Sequence, residues 1–194
     1  MNDSQTVLIL GGGVGGLVAA NTLRKLLPRQ HRIVLVDREA NHLFAPSLLW
    51  LMIGRRSAAN IFRPLERLRR KGIEVVRGDI QRIEPEARRI TVNGKTVQGE
   101  HLVIALGAEL APASIPGLPE AGHNFYTLAG AESLRDALRT FRSGRLVVLT
   151  AAPAYKCPAA PTRQPCCWST IAASAAYATG YKWTSTPPSP HPWE

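Results

Sequence analysis

Three glycines stand at the spacing that lets a protein backbone approach a diphosphate. Gly11, Gly13 and Gly16 form the pattern GxGxxG, within a run of glycines broken only by Val14. The first glycine allows a tight turn, the second leaves room for backbone N–H groups to reach phosphate oxygens, and the third lets a helix pack closely on a strand. The pattern predicts that a dinucleotide binds at a helix N-terminus, where Val14 and Gly15 add further N–H groups.

A carboxylate follows where the ribose of such a dinucleotide is expected. Asp37 ends the apolar run IVLVD, 21 residues beyond Gly16. We expect Asp37 to accept hydrogen bonds from the adenosine ribose hydroxyls, with Arg38 beside it at the site. Because a carboxylate repels a 2′-phosphate, the pattern favours FAD or NAD over NADP. The alternative reading is that Asp37 caps its strand and that the glycines form a turn in another kind of α/β protein.

The segments around these residues follow one another in the order of a βαβ unit. Apolar runs predict buried strands at residues 6–10 and 32–37, and a helix at residues 17–27 that ends before Pro28. Residues 61–72 (IFRPLERLRRKG) predict a short basic helix whose apolar side chains face inward and whose arginines face outward.

The next part of the chain is rich in predicted strands. They span residues 73–76, 79–83, 89–92, 95–97 and 102–105, with a turn at Asn93-Gly94. A helix at residues 133–141, capped by Ser133, and a strand at residues 145–150 complete the pattern. The sequence therefore predicts an α/β fold of the Rossmann type, with a parallel sheet and a β-meander in place of one crossover helix.

Composition excludes several classes of protein. A chain of 194 residues with 45% hydrophobic and 20% charged residues has room for about one folded domain or slightly more, and is neither disordered nor collagen-like. The net charge of +10 invites a nucleic-acid partner, but the crowding of arginines on one predicted helix favours a solvated face, with attraction to an anionic cofactor or membrane as the alternative. Three cysteines form neither a CxxC zinc pattern nor a disulfide framework. No apolar run reaches bilayer length and no basic export signal is present, so we expect a cytoplasmic protein without a metal site.

Residues 5–161 resemble flavoproteins of the pyridine nucleotide-disulfide oxidoreductase class. The resemblance rests on the glycine fingerprint and on residues 103–108 (VIALGA), which are similar to the ATG-type motif of that class although leucine stands where threonine is common. It implies a Rossmann-like FAD-binding domain in which Ala105 and Gly107 lie beside the cofactor. It also implies that Ile80 lies near the adenine and that residues 42–50 (HLFAPSLLW) run under the flavin.

Residues 151–161 narrow the resemblance. A second glycine fingerprint for NAD(P)H is absent there, and AAPAYKCPAAP is similar to a segment of sulfide:quinone oxidoreductases and flavocytochrome c sulfide dehydrogenases. This implies that Cys157 forms a redox disulfide or polysulfide bridge with a cysteine further along the chain, that sulfide attacks the bridge, and that electrons pass through FAD to quinone or cytochrome. Lys156 is next to that thiol in sequence, and positive charge favours a nucleophilic thiolate. The alternatives are a type II NADH dehydrogenase, which shares the N-terminal pattern, and a Cys157 that is only a small buried hydrophobe.

The last 45 residues contain no leucine or valine and end in TSTPPSPHPWE. When the codons after Pro161 are read from their third bases, with free bases chosen favourably, a sequence typical of the family emerges. We therefore expect a single-base deletion near that codon. The predicted domains are an FAD-binding domain at residues 5–144, the start of a second Rossmann-like domain at 145–161, and a disordered, out-of-frame tail at 162–194. On this reading the chain is an inactive, truncated remnant of a sulfide:quinone oxidoreductase lineage whose intact members act on sulfide and quinone at the inner face of a membrane.

Overall fold

The structure is a computed structural model that describes residues 4–142 and 146–149, together with the backbone of residues 183–185. The chain forms two compact units, the first made of Met1–Leu43 and Phe62–Leu110 and the second of Phe44–Ile61 and Ala111–Glu194.

The first unit contains nine strands, one α-helix and one 3-10 helix among its described residues. In chain order they are β1 Thr6–Leu10, α1 Val14–Leu26, β2 Arg32–Asp37, β3 Asn41–Leu43, β4 Phe62–Pro64, the 3-10 helix Leu65–Lys71, β5 Glu74–Arg77, β6 Ile80–Glu84, β7 Arg89–Val92, β8 Lys95–Gln98 and β9 His101–Ile104.

Four of these strands form a parallel sheet in the order β5-β2-β1-β9. The chain passes from β5 to β9 through the antiparallel meander β6-β7-β8, whose β7–β8 turn has positive φ at Asn93 and Gly94. Both findings confirm the predicted α/β fold. The helix α1 begins at Val14, three residues before its predicted start, because the last glycines of the turn already adopt helical geometry.

The two faces of the parallel sheet are buried by different elements, as the alternation of side chains along a strand requires. Val7 and Ile9 of β1 pack in a cluster with residues of α1 and the 3-10 helix, whereas Leu8 and Leu10 pack in a second cluster with Ile90 of the meander. Full burial of each such side chain contributes about 1.5–3 kcal/mol relative to leaving it exposed.

An ion pair links the exposed ends of β2 and β5. The guanidinium of Arg32 donates two hydrogen bonds of 2.9 Å to the carboxylate of Glu74. The bond from Arg32 lowers the pKa of Glu74, and the same contact raises the pKa of Arg32.

Residues 61–72 do not form the single basic helix that was predicted. Ile61 ends a short α-helix, β4 follows, and the 3-10 helix carries the remaining residues. Pro64 lacks the N–H that a continuous helix would use, which explains the break. The predicted orientation is confirmed, because Ile61, Leu65 and Leu68 are buried while the arginines of the segment are exposed.

The second unit is mainly helical in its described part. Its elements are the 3-10 helices Ala45–Ser47 and Pro112–Ser114, α2 Leu48–Met52, α3 Ala58–Ile61, α4 Leu118–Ala121, α5 Leu128–Thr140, β10 Leu146–Val148 and β11 Trp183–Ser185. Helix α5 packs on α2, and β10 pairs in parallel with β11. No helix of the described ranges is long and apolar enough to cross a bilayer.

The N-terminus of α5 differs from the prediction. The helix begins at Leu128 rather than at Ser133, and its cap is Thr127, whose Oγ1 accepts a hydrogen bond of 3.1 Å from the N–H of Gly130. The sequence TLAGAESL conceals this start because a glycine stands inside the first turn.

Most of the predicted second domain and tail lies outside the described residues. The segment that contains Cys157 is not covered, and of residues 162–194 only β11 is described. The predicted change of reading frame after Pro161 stays a prediction.

Candidate functional site

Two glycines of the turn between β1 and α1 are packed so closely that no other residue fits. Gly11 has φ +101°, and a Cβ at this position would lie 2.4 Å from the carbonyl oxygen of Ala105. At Gly16, a Cβ would lie 1.8 Å from the carbonyl oxygen of Gly11. These contacts bring the end of β1, the start of α1 and the end of β9 together.

Gly13 is a glycine for a different reason. A Cβ at Gly13 would meet no atom within 4 Å, and Gly13, Val14 and Gly15 are exposed. The turn therefore faces open space at the position where the fingerprint predicts a diphosphate.

The open space lies at the positive end of α1. The N–H groups of the N-cap Gly13 and of the next three residues have no acceptor within the helix. Helix α1 has no side-chain cap and no acidic residue in its first turn. Partial positive charge and free N–H donors make such a terminus suitable for a phosphate group.

Both backbone polar groups of Gly12, the middle glycine of the turn, are hydrogen-bonded to side chains. The N–H of Gly12 donates to Oδ2 of Asp37, and its carbonyl oxygen accepts a hydrogen bond of 3.0 Å from Nδ1 of His42. Because the carbonyl is an acceptor, Nδ1 of His42 must carry a proton. No role for Gly12 was predicted from the sequence, and His42 was expected only as the start of the segment under the flavin; the position of Gly12 within three consecutive glycines was the available signal.

Asp37 is half-buried at the end of β2. Its Oδ1 accepts the N–H of Glu39 at 2.6 Å, and its backbone carbonyl accepts the N–H of Gly78 at 2.9 Å. An ionised carboxylate offers about four lone-pair positions. Each oxygen of Asp37 thus keeps capacity for a ribose hydroxyl after its contact with the backbone.

The structure brings some of the other predicted residues to this turn. The N–H of Ala105 continues the ladder of β9 by donating to Leu10 at 2.8 Å, and the methyl group of Ala105 lies 3.6 Å from a Cβ position at Gly15. Gly107 has φ +77°, a conformation that favours glycine.

Two further predicted residues, Arg38 and Ile80, have contacts with other residues of the first unit. Arg38 is exposed, and its Nε lies 3.8 Å from a carboxylate oxygen of Glu39. Ile80 begins β6 and is paired with Val92. Cys157 lies outside the described residues. Residues 42–50 form the end of β3, a 3-10 helix and the start of α2.

Comparison with known proteins agrees with this geometry. The family described as "Pyridine nucleotide-disulphide oxidoreductase" matches residues 5–151. Demethylphylloquinone reductase of Synechocystis sp. is 32% identical over 150 residues, which cover 72% of this chain and 37% of the relative. Mitochondrial sulfide:quinone oxidoreductase of Mus musculus is 26% identical over 166 residues, covering 81% and 36% respectively.

A solved structure gives the same result. The sulfide:quinone oxidoreductase of Aquifex aeolicus superposes with a TM-score of 0.69 at 30% identity, over 74% of this chain and 34% of that one. The chain thus spans about a third of the length of the relatives it matches.

The residues present fit the adenosine diphosphate part of the family's cofactor. The open face of Gly13, the N–H groups of α1 and the carboxylate of Asp37 together offer donors to the diphosphate and acceptors to the ribose. The chain belongs to the pyridine nucleotide-disulphide oxidoreductase family, whose related sulfide:quinone and type II NADH oxidoreductases are FAD-binding flavoproteins.

Proposed function

We propose that this chain forms the FAD-holding part of a quinone-reducing flavoprotein that oxidises sulfide. The observation that carries the proposal is the open cradle at Gly13, between the closely packed Gly11 and Gly16 and beside the carboxylate of Asp37.

The protein's own groups would bind and orient the cofactor. The N–H groups at the start of α1 donate to the diphosphate, and Asp37 accepts hydrogen bonds from the ribose. Asp37 holds the Gly11–Gly12 peptide and His42 the Gly12–Gly13 peptide, so the two residues together fix the backbone of the turn from which the neighbouring N–H groups would donate to the diphosphate. When bound, FAD supplies the capacity to accept and release two electrons.

Sulfide as the electron donor is supported by the residues around Cys157 and by the mouse and Aquifex relatives, which are named for sulfide and quinone. In this proposal Cys157 is the cysteine that reacts with sulfide; Lys156 is next to it in the sequence, and positive charge favours a thiolate. Because quinones dissolve in the bilayer, the proposal includes peripheral contact with the inner face of a membrane.

The test begins with the flavin content of the purified full chain after incubation with FAD and desalting. We expect about one FAD per chain; because the sequence predicts an inactive remnant, bleaching of the flavin absorbance by sulfide without oxygen is the outcome that would show retained sulfide oxidation. Bleaching should be lost in Cys157→Ser and kept in the matched variant Cys166→Ser.

The remaining outcomes distinguish the alternative functions. A chain that retains FAD but is bleached by NADH and not by sulfide would indicate a type II NADH dehydrogenase. A chain that retains FAD but responds to neither donor would indicate a non-catalytic remnant that binds a dinucleotide. A folded chain that retains no FAD would contradict the proposed role of the glycine turn itself.

A further inference from the structure

Four arginines of the second unit line one cavity of about 640 Å³. Arg55 and Arg56 follow α2, and Arg135 and Arg139 lie four residues apart on α5, where such spacing places side chains on the same face. None of the described residues that line the cavity is acidic. The volume lies in the range of small-molecule sites, about 300–1,000 Å³.

The backbone directs the first two arginines to the same place. The N–H groups of Arg55 and Arg56 both donate to the carbonyl oxygen of Trp50, at 2.9 and 3.2 Å. This turn at the end of α2 presents two consecutive guanidinium groups at the cavity instead of on opposite sides of a helix.

Their side chains are held by partners that leave the positive charge in place. The guanidinium carbon of Arg55 lies 5.9 Å from the ring centroid of Trp50, which is the geometry of a cation–π contact. Nη1 of Arg56 donates a hydrogen bond of 2.6 Å to Oγ of Ser47, a neutral and fully buried residue. The side chains of Arg55 and Arg56 are thus oriented without a carboxylate.

Only one of the four arginines has an ion-pair partner within the described part of the chain. Arg135 donates to Asp136 at 2.9 Å, whereas Arg55, Arg56 and Arg139 have no carboxylate within 4.0 Å. Asp136 also interacts electrostatically with Arg139, and Glu132 with Arg135, so four guanidinium groups face two carboxylates; the net positive charge that remains attracts an anion.

We propose that this cavity binds a phosphate group, held by the guanidinium groups of Arg55, Arg56 and Arg139. Several guanidinium groups match a doubly charged phosphate, because each presents two parallel N–H donors to a pair of oxygens. The side chains of Met52 and Leu138 add apolar surface, which suits a phosphate carried on an organic body. This site is separate from the glycine turn, and the proposal does not depend on FAD binding or on sulfide oxidation.

The test is a calorimetric titration of the full chain with inorganic pyrophosphate. The site variant is R55Q/R139Q, and the matched control is R67Q/R70Q, which removes the same charge from exposed positions of the 3-10 helix in the first unit. We expect the dissociation constant to rise at least about tenfold in the site variant and to change little in the control, because hydrogen bonds between charged groups are the stronger ones. The four substituted arginines are exposed, namely Arg55, Arg67, Arg70 and Arg139. Circular dichroism checks that both double variants fold, and the single variants R55Q and R139Q replace the site variant if it does not.

A second titration uses vesicles of phosphatidylcholine containing phosphatidic acid, which carries the same phosphate chemistry on a lipid. Binding in the first titration alone identifies a soluble ligand, and binding to vesicles identifies a lipid headgroup, provided that R55Q/R139Q removes it. Pyrophosphate binding that both double variants retain would show that the anion binds elsewhere and would overturn the proposal. Equal loss in the site variant and the control, or no binding in either titration, would also overturn it.

Discussion

The carboxylate of Asp37 accepts a hydrogen bond from the backbone N–H of Gly12, so the end of β2 holds the turn that leaves β1. The residue expected to bind ribose is therefore also part of the scaffold that shapes the phosphate turn. Variants at this site change folding and cofactor binding together unless the two effects are measured separately.

Asp37→Ala should lower both stability and FAD affinity. Removal of the carboxylate leaves the buried N–H of Gly12 without its acceptor, which costs about 1–3 kcal/mol. Asp37→Asn keeps one acceptor oxygen and should fall between wild type and alanine. Urea unfolding measures the first effect and fluorescence titration with FAD the second. Unchanged FAD affinity in a folded Asp37→Ala chain would exclude Asp37 from the cofactor site.

Two glycine variants should separate folding from binding. Gly16→Ala places a methyl group 1.8 Å from the carbonyl oxygen of Gly11. We expect the free energy of unfolding to fall by about 3 kcal/mol or more, because a backbone atom cannot move away as a flexible side chain can. Gly13→Ala meets no atom, so its stability should fall by no more than about 1 kcal/mol. Its methyl group projects toward the expected diphosphate, and FAD affinity should fall at least about tenfold. If FAD affinity in Gly13→Ala equals that of wild type, the diphosphate lies elsewhere.

The cap of α5 can be tested in the same paired manner. Thr127→Ala removes the acceptor for the N–H of Gly130 and should cost about 1 kcal/mol. Ser133→Ala lies inside the helix, where alanine is the best helix former, but it also removes an exposed hydrogen bond of 3.3 Å between the Ser133 hydroxyl and Nδ1 of His123, so it should cost less than Thr127→Ala. Thermal unfolding followed by circular dichroism measures both. The reverse order of the two effects would restore Ser133 as the N-cap.

The pair Arg32–Glu74 should make a small, pH-dependent contribution to stability. Because the folded-state pKa of Glu74 is lowered by its hydrogen bond from Arg32, the contribution is present above the unfolded carboxyl pKa of about 4.3 and is lost as pH falls through the folded pKa. Both side chains are about half exposed, so the pair is worth at most about 1 kcal/mol. Glu74→Gln should therefore destabilise the chain at pH 7 and leave it equal to wild type at strongly acidic pH. A difference that persists at acidic pH would assign the effect to packing instead.

Much of the first unit could be predicted because its signals are local. The bounds of β1 and β2 agree with the prediction, since strands buried on both faces are continuous apolar runs. The turn at Asn93-Gly94 follows from residue types that tolerate positive φ. The glycine fingerprint and the family resemblance likewise depend on residues close together in sequence.

The start of α5 and the break at Pro64 were not predicted. At both places the local sequence allows more than one secondary structure, and packing selects one of them. The partners of Gly12 are also beyond a reading of the sequence. His42 is 30 residues away from Gly12 and lies on β3, which pairs with β4.

The sequence by itself determined that a diphosphate-binding turn lies between a buried strand and a helix, because the residues that form this turn are consecutive in the chain. Only the tertiary structure decided that Asp37 and His42 form hydrogen bonds with the backbone N–H and carbonyl of Gly12, and that Arg55 and Arg56 share a cavity with Arg139. Contacts between residues far apart in the chain depend on how whole elements pack, and no local pattern of side chains specifies that packing.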